Sequence, residues 1–250
     1  MRYSKAEKNM LMISFMAALI FAVPEMVNAM HIMEGYLPLG HCVLWGAVCL
    51  PFLVFGMIHI RRTLQDNKRV LILLAMSGAF IFVISSLKIP SVTGSCSHMT
   101  GTGLAAILFG PTVASVLGII VLVFQAILLA HGGLTTLGAN TFSMAIAGPV
   151  FTWILYRLGK KIKLNRNVNI FIAAALGDLF TYCVTSIQLA VAYPGEVGGA
   201  MESAVKFLGV FAPTQVSLTI IEGLLTVLII IGLESLAEPE LKDIAFLEGK

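Results

Sequence analysis

Charged side chains are scarce in this sequence of 250 residues: Asp, Glu, Lys and Arg together make up 12%, whereas 58% of the residues are apolar. Soluble domains carry about 25% charged and about 45–50% apolar residues, so this chain cannot cover a soluble globule with polar side chains. Its apolar content also excludes a disordered chain. The composition therefore predicts an integral membrane protein that has the lipid bilayer as its solvent.

Motifs of several enzyme and metal-binding classes are also missing. The four cysteines (Cys42, Cys49, Cys96 and Cys183) form no C-x-x-C pair, which excludes a zinc-finger pattern and a dense disulfide framework. No G-x-x-x-x-G-K-[ST] phosphate loop, H-E-x-x-H or G-x-S-x-G motif occurs. The net charge of +3 is too small to indicate a nucleic-acid partner. These absences favour binding and transport over catalysis, and the chain has no ATPase motif of its own.

The first residues have the three-part layout of a secretory signal. Basic residues open the chain, an apolar run covers Met10–Val23, and Val27 and Ala29 fit the −3 and −1 positions of a cleavage site. We expect residues 1–29 to be a signal peptide that is cleaved after Ala29, and residues 30–250 to form a single multi-helix membrane domain. An uncleaved first helix, tilted in the bilayer, is the alternative.

Two basic connections set the predicted orientation. Arg61–Arg69 holds four basic residues and Arg157–Arg166 holds five, and the positive-inside rule places both in the cytoplasm. The apolar stretches then predict an all-α membrane protein of about seven transmembrane helices, with the mature N-terminus outside and the C-terminus cytoplasmic. The shortest stretch, Met99–Gly110, is either a short span or a re-entrant segment. The seven stretches are Cys42–Ile60, Val70–Leu87, Met99–Gly110, Pro111–Ala130, Thr141–Tyr156, Val168–Ala192 and Phe207–Leu233.

Cleavage after Ala29 would create a metal-binding N-terminus outside the membrane. The α-amine of Met30, the next backbone amide nitrogen and the imidazole of His31 can close adjoining five- and six-membered chelate rings around one ion. This planar set leaves a fourth position for another imidazole, and nitrogen-rich tetragonal sites suit Ni(II) and Cu(II) and can also hold Co(II). The amine must lose its proton, so binding should weaken as the pH falls. The alternative interpretation is that His31 is an ordinary histidine at the membrane interface.

Four of the five histidines map to the outer side in this topology: His31, His41, His98 and His131. His98 lies in the polar, glycine-flanked stretch Lys88–Thr102, and irregular backbone at membrane depth is tolerated only where it is buried in protein or lines a cavity. We expect His98 to be the fourth ligand. Cys96 and Met99 beside it are either soft ligands or packing residues.

Two further features have alternative interpretations. The segment His131–Asn140 is rich in glycine and hydroxyl groups, so it either closes the same cavity and supports the ligand imidazoles or forms a plain turn. Asp178 and Glu222 fall inside apolar stretches. An intramembrane carboxylate is a functional candidate, and a structural hydrogen bond is the alternative.

Three segments resemble a known family. Met30–Pro38 (MHIMEGYLP), Ser86–Pro111 around S-C-S-H-M-T-G-T-G, and Leu129–Asn140 (LAHGGLTTLGAN) are similar to motifs of the CbiM/NikM family. Members are the substrate-binding membrane subunits of energy-coupling factor transporters for cobalt and nickel. The resemblance implies a seven-helix subunit that holds the metal near its outer face through Met30, His31 and His98. These residues supply the terminal amine and first amide, the histidine of the Met-His pair and one loop histidine.

The resemblance also suggests the substrate and the partners. The start M-H-I-M-E-G is common in the cobalt branch, whereas nickel members often read M-H-I-P-D-G, which favours Co²⁺ over Ni²⁺. Met99 stands where familiar members often have proline. The implied partners are a transmembrane coupling subunit, cytoplasmic ATPase subunits and a small two-span accessory membrane subunit. The implied role is cobalt import for cobalamin biosynthesis across the cytoplasmic membrane of a prokaryotic cell, with no catalytic cofactor.

Three other functions remain open at this point. The first is a nickel importer subunit of the same family. The second belongs to a different class, namely a membrane metalloenzyme or metal-insertion protein that uses the same histidines. The third is an uncoupled metal channel.

Overall fold

The computed structural model describes residues 31–90, 96–244 and 246. The predicted signal peptide and Met30 therefore lie outside the described residues. Within the described ranges the regular structure is helical, apart from one antiparallel pair of two-residue strands, β1 (Ile89–Pro90) and β2 (Cys96–Ser97), and a single bridge between Gly195 and Gly199. The helices in chain order are α1 (Leu39–Asp66), α2 (Val70–Ser86), α3 (Thr102–Phe109), α4 (Pro111–Leu129), α5 (Leu137–Asn140), a π-helix (Thr141–Ala147), α6 (Gly148–Lys161), α7 (Arg166–Ala192), α8 (Gly199–Leu236) and α9 (Glu238–Asp243).

Four of the described helices, α1, α4, α7 and α8, are long and apolar enough to cross a membrane, and α2 is a shorter apolar helix. Only 11% of the most apolar window of α1 is buried inside the protein, so large apolar side chains such as Val43 and Phe55 lie on its outer surface. A helix that is apolar on its exposed face is stable in lipid rather than in water. The protein is therefore an integral membrane protein, as its composition predicts.

The short helix α3 replaces most of the predicted stretch Met99–Gly110. It has eight residues and is about 12 Å long, less than half of the about 30 Å hydrocarbon core. Every residue from Thr102 to Leu108 is buried, and Gly103 lets α3 approach the backbone of Ala174 in α7. This segment is therefore enclosed by protein, although it is too short to cross a bilayer as a helix alone.

Helix α8 is longer than the predicted stretch Phe207–Leu233. It begins at Gly199 and runs for 38 residues. The prediction missed its first turns because Glu202, Ser203 and Lys206 interrupt the apolar pattern there. The carboxylate of Glu202 accepts the N–H of Gly198 at 2.8 Å, and a negative charge near a helix N-terminus stabilises that end.

The two ends of the bundle differ in chemistry. At one end, Gly110 and Pro111 between α3 and α4 line a cavity of about 640 Å³ together with His59, Arg157 and Lys160. At the other end, the residues that precede α3 and those that follow α4 come together. That second end holds the candidate site.

Candidate metal centre

Three histidines from distant parts of the chain meet in one buried cluster. His31, His98 and His131 are 3%, 0% and 1% exposed. Nδ1 of His31 lies 2.7 Å from Nε2 of His98 and 3.1 Å from Nε2 of His131. One ligand atom from each residue lies within 4.8 Å of the other two. The structure thus brings together two of the predicted ligands, His31 and His98, and adds His131.

The other candidates have different outcomes. His41 is partly exposed on α1 and does not belong to the cluster of described metal-binding side chains. Met99 is buried against Ile84 and Leu218, so it packs in the core, the second of its two predicted roles. The predicted ligand Met30 and the side chain of Cys96 lie outside the part of the chain that the structure describes.

The segment after His31 is held by the side chain of Asn140. The Asn140 carboxamide accepts the N–H of Ile32 at 2.8 Å and donates to the carbonyl of Ile32 at 3.0 Å. The hydroxyl of Thr136 donates to the same carbonyl at 2.6 Å. These three bonds satisfy both backbone groups of a residue that is 2% exposed, and they fix the position of the neighbouring His31.

A second set of contacts holds the next turn of this segment. Glu34 accepts the N–H of Thr135 at 3.2 and 3.3 Å, and Gly35 donates its N–H to the hydroxyl of Thr135 at 3.1 Å. Gly133 faces the backbone of Glu34 so closely that a Cβ atom would lie 2.5 Å from the Glu34 Cα. The glycine-rich connection His131–Asn140 therefore closes over residues 31–35, which we call the N-terminal segment. This is one of its two predicted roles.

The orientation of the His98 ring is set by the backbone of the next residue. Nδ1 of His98 lies 2.8 Å from the carbonyl of Met99. Since a carbonyl only accepts, Nδ1 carries the proton and Nε2 points its lone pair at the cluster. A second hydrogen bond of this kind is typical of metal-binding histidines.

Buried polar side chains of α7 and α8 support the backbone around His98. Gln215 donates to the His98 carbonyl at 3.4 Å and to Asp178 at 2.6 Å. Glu222 accepts from the backbone N–H and the hydroxyl of Thr100 at 2.6 and 2.9 Å, and from the N–H of Gly101 at 3.0 Å. Asp178 and Glu222 are 1% and 0% exposed. Both carboxylates thus make the structural hydrogen bonds that the sequence left as one alternative.

The end of α4 directs His131 into the cluster. Ala130 ends the helix in the left-handed conformation, with φ of 46°, and the N–H of His131 donates to the Gln125 carbonyl at 3.1 Å. The Gln125 carboxamide in turn donates to the Ser85 hydroxyl at 2.7 Å. The imidazole of His131 stands at 74° and 85° to the rings of His31 and His98, which are stacked at 15° to each other. The sequence indicates His131 through its place on the outer side and in the family-like segment Leu129–Asn140, but not as a ligand.

The cluster is electrostatically suited to a cation. Burial lowers the pKa of His98 to about 4 and that of His131 to about 2, and burial also holds the pKa of His31 well below its usual value. All three imidazoles are therefore neutral near pH 7, which is the form that binds metal ions. Among the described atoms, Nε2 of His31 and Nδ1 of His131 are buried without a hydrogen-bond partner.

Comparison with known proteins identifies the family. The profile described as "cobalt uptake substrate-specific transmembrane region", that of CbiM, matches residues 31–240. The chain belongs to the CbiM family. It is 63% identical over 246 residues to the cobalt transport protein CbiM of Lachnoclostridium phytofermentans, and the match covers 98% of both chains. The CbiM protein of Clostridium cellulovorans is 50% identical over 237 residues, covering 95% of this chain and 91% of that one.

Solved structures share the fold. The crystal structure of a transition metal transporter superposes with a TM-score of 0.73 at 28% identity, covering 83% of this chain and 94% of that one. A truncated transition metal transporter gives a TM-score of 0.72 at 27% identity, covering 82% and 98%. The CbiM family membership predicted from the three sequence segments is therefore confirmed.

Proposed function

We propose that this protein is the substrate-specificity subunit of an ATP-driven energy-coupling factor importer for Co²⁺. The observation that carries the proposal is the convergence of three neutral imidazole nitrogens at one buried point beside the N-terminal segment. Membership of a family described by cobalt uptake supports Co²⁺ as the substrate. Such a subunit binds and hands over an ion and has no catalytic role.

The ligand set is Met30, His31 and His98. The amine of Met30 and the backbone nitrogen of His31 form the first chelate ring, and Nδ1 is the imidazole nitrogen that closes the second ring. In the structure Nδ1 of His31 faces Nε2 of His98 at 2.7 Å. A metal–imidazole bond is about 2.0–2.1 Å, so two ligands at right angles have nitrogens about 2.8–3.0 Å apart. The separation therefore agrees with adjacent positions around one ion.

The proposed topology follows from the two ends of the bundle. Residues 1–29 are removed as a signal peptide, Met30 is the mature N-terminus on the outer side, and the C-terminus is cytoplasmic. The segment from Met99 to Gly110 leads from the histidine end to the end that carries Arg157 and Lys160, so it counts as one of seven crossings. Its non-helical part is tolerated because it is enclosed by protein.

The energy for import comes from other subunits. The sequence contains no phosphate loop, which agrees with cytoplasmic ATPase subunits that act through a transmembrane coupling subunit. A small two-span accessory membrane subunit completes the proposed complex. The imported cobalt supplies cobalamin biosynthesis, and the complex lies in the cytoplasmic membrane of a prokaryotic cell.

The proposal is tested by the mass and the metal binding of protein purified from membranes. We expect an intact mass that begins at an unmodified Met30 and one tightly bound Co²⁺ per chain by calorimetry. An alanine inserted between Met30 and His31 enlarges the chelate ring and should abolish tight binding. The matched control is an alanine inserted between Glu196 and Val197, two exposed residues, which should keep it. A retained residue 1, or tight binding in the Met30–His31 insertion variant, would contradict the ligand set.

Coupling is tested by uptake in cells. Co²⁺ accumulation should require the ATPase subunits, and uptake that persists in their absence would indicate an uncoupled channel instead. Turnover of an organic substrate by the purified, metal-loaded protein would indicate a metalloenzyme. Tighter binding of Ni²⁺ than of Co²⁺ would identify a nickel importer.

A further inference from the structure

We infer that His131 is a fifth ligand of the transported ion, at the axial position, and that it makes the site prefer Co²⁺ to Ni²⁺. This inference rests on the proposed site of Met30, His31 and His98 and adds one residue to it. It concerns which ion is selected, whereas the proposed function concerns binding and import.

The distances place His131 next to His31 around a common ion. Nε2 of His131 lies 3.1 Å from Nδ1 of His31, close to the about 2.8–3.0 Å expected for two nitrogens at right angles on one ion. Nε2 of His98 lies at a similar distance, 2.7 Å, from the same Nδ1 of His31. Nδ1 of His31 thus has two adjacent ligand neighbours rather than one.

The chelate leaves only one kind of position for His131. The amine, the amide nitrogen and Nδ1 of His31 occupy three corners of a plane, because fused five- and six-membered rings hold them there. His98 takes the fourth corner. A nitrogen that is adjacent to Nδ1 and lies outside this plane is axial, and the His131 ring stands at 74° and 85° to the two other imidazoles.

The surroundings of His131 agree with a ligand rather than a supporting residue. Its ring is 1% exposed, and its Nε2 lies 3.1 Å from the His31 nitrogen that would bind the metal. A bond to the ion would use the lone pair of the His131 Nε2. The backbone N–H of His131 donates to the Gln125 carbonyl, which holds the residue in place.

A fifth nitrogen distinguishes the two candidate ions. Planar coordination by four nitrogens suits Ni(II), and a low-spin d⁸ ion in such a field gains little from an axial ligand. Co(II), with seven d electrons, accepts a fifth nitrogen to give a square pyramid. His131 therefore adds a bond to Co²⁺ that Ni²⁺ does not form to the same extent.

X-ray absorption of the Co²⁺ complex tests the inference on the unmodified protein. We expect five nitrogen neighbours and the outer-shell scattering of three imidazole rings. His131→Ala should reduce these to four neighbours and two rings, and should lower the ratio of Co²⁺ to Ni²⁺ affinity at least tenfold. His41→Ala, which removes a histidine outside the cluster, should match the wild type in both measurements.

The outcomes separate this inference from the proposed function. Two rings in the wild-type complex, or an unchanged affinity ratio in His131→Ala, would overturn the role of His131 even if Co²⁺ binds tightly. Absence of Co²⁺ binding by the wild type would instead overturn the proposed function. If His131→Ala does not fold, the wild-type ring count still decides. Added imidazole should restore the five-nitrogen spectrum in His131→Gly.

Discussion

The carboxylate of Glu222 is joined to Thr100, 122 residues away in the sequence, by two hydrogen bonds. One oxygen accepts the Thr100 N–H at 2.6 Å and the other accepts its hydroxyl at 2.9 Å. The second oxygen also accepts the N–H of Gly101 at 3.0 Å. The middle of α8 is thereby fastened to the peptide two residues beyond His98, so the helix and the ligand are held as one unit.

The first prediction concerns this contact. Glu222→Gln replaces one acceptor oxygen with an NH₂ group, which leaves an N–H of Thr100 or Gly101 unpaired in a buried place. We expect a loss of about 1–3 kcal/mol in the free energy of unfolding, the cost of a buried donor without a partner, together with weaker Co²⁺ binding. Denaturant unfolding in detergent and calorimetry measure the two effects. The exposed substitution Glu196→Gln is the control, and equal stability of the two variants would refute the prediction.

The second prediction concerns the Asn140 carboxamide. Asn140→Leu keeps the volume but removes both hydrogen bonds to Ile32. Each buried bond contributes about 0.5–1.5 kcal/mol, so Co²⁺ affinity should fall about 10- to 100-fold because His31 loses its fixed position. Calorimetric titration checks this, with Asn167→Leu on the exposed start of α7 as the comparison. An unchanged affinity in Asn140→Leu would mean that the N-terminal segment is held by other contacts.

The third prediction uses a matched pair of glycines. The Cβ atom of Gly133→Ala would overlap the backbone of Glu34, whereas that of Gly40→Ala meets no atom within 4 Å. We expect Gly133→Ala to displace the N-terminal segment and lose at least tenfold in Co²⁺ affinity, and Gly40→Ala to bind as the wild type does. Equal loss in both variants would show that the effect is not local to this contact.

The fourth prediction is a pH dependence of the metal-free protein. Burial lowers the pKa of His98 to about 4 and of His131 to about 2, whereas an unfolded histidine titrates near about 6.5. Between these values the unfolded chain binds more protons than the folded one, so the free energy of unfolding falls as the pH is lowered from about 6.5 to about 4. Thermal unfolding of the metal-free protein at a series of pH values measures this slope.

The same series on His131→Asn provides the control for the pH effect. That variant lacks one of the buried imidazoles, so its stability should decline less steeply over the same interval. A slope equal to that of the wild type would show that the acid sensitivity arises at other groups.

Composition and local pattern were sufficient for the membrane class, the helical fold and most of the helix positions. Apolar runs long enough to cross a bilayer are visible without tertiary information, which is why α4 and α7 match their predicted stretches closely. The first turns of α8 were missed because Glu202 and Lys206 interrupt the apolar run there, and the contact of Glu202 with Gly198 stabilises them instead. The length of α3 could not be predicted from the sequence either, since it depends on the helices that bury it, such as α7.

The site was predictable only in part for a related reason. His31 and His98 stand in motifs with a recognisable chemistry, so their meeting could be expected. His131 lies 100 residues from His31. Its segment is rich in glycine, which is as typical of a plain turn as of a segment that closes a metal site. Its approach to His31 depends on the end of α4 and on the docking of the N-terminal segment, and neither is encoded in a local pattern. The available signals were its outer-side location and its place in the segment Leu129–Asn140, which resembles a family motif.

The π-helix Thr141–Ala147 joins α5 to α6 in one continuous rod, and its wide turn has a consequence for the tolerance of the chain to length changes. A π-turn contains one residue more than an α-turn, which rotates everything before it by about 100° relative to everything after it. Asn140 stands just before this turn, and Gly148, which faces Thr181 on α7, stands just after it. Deleting a single residue between them would convert the π-turn to an α-turn. The Asn140 carboxamide would then rotate by about 100° away from Ile32, although no metal ligand is changed. The number of residues in this π-helix thus determines whether Asn140 can hold Ile32, and with it the position of His31.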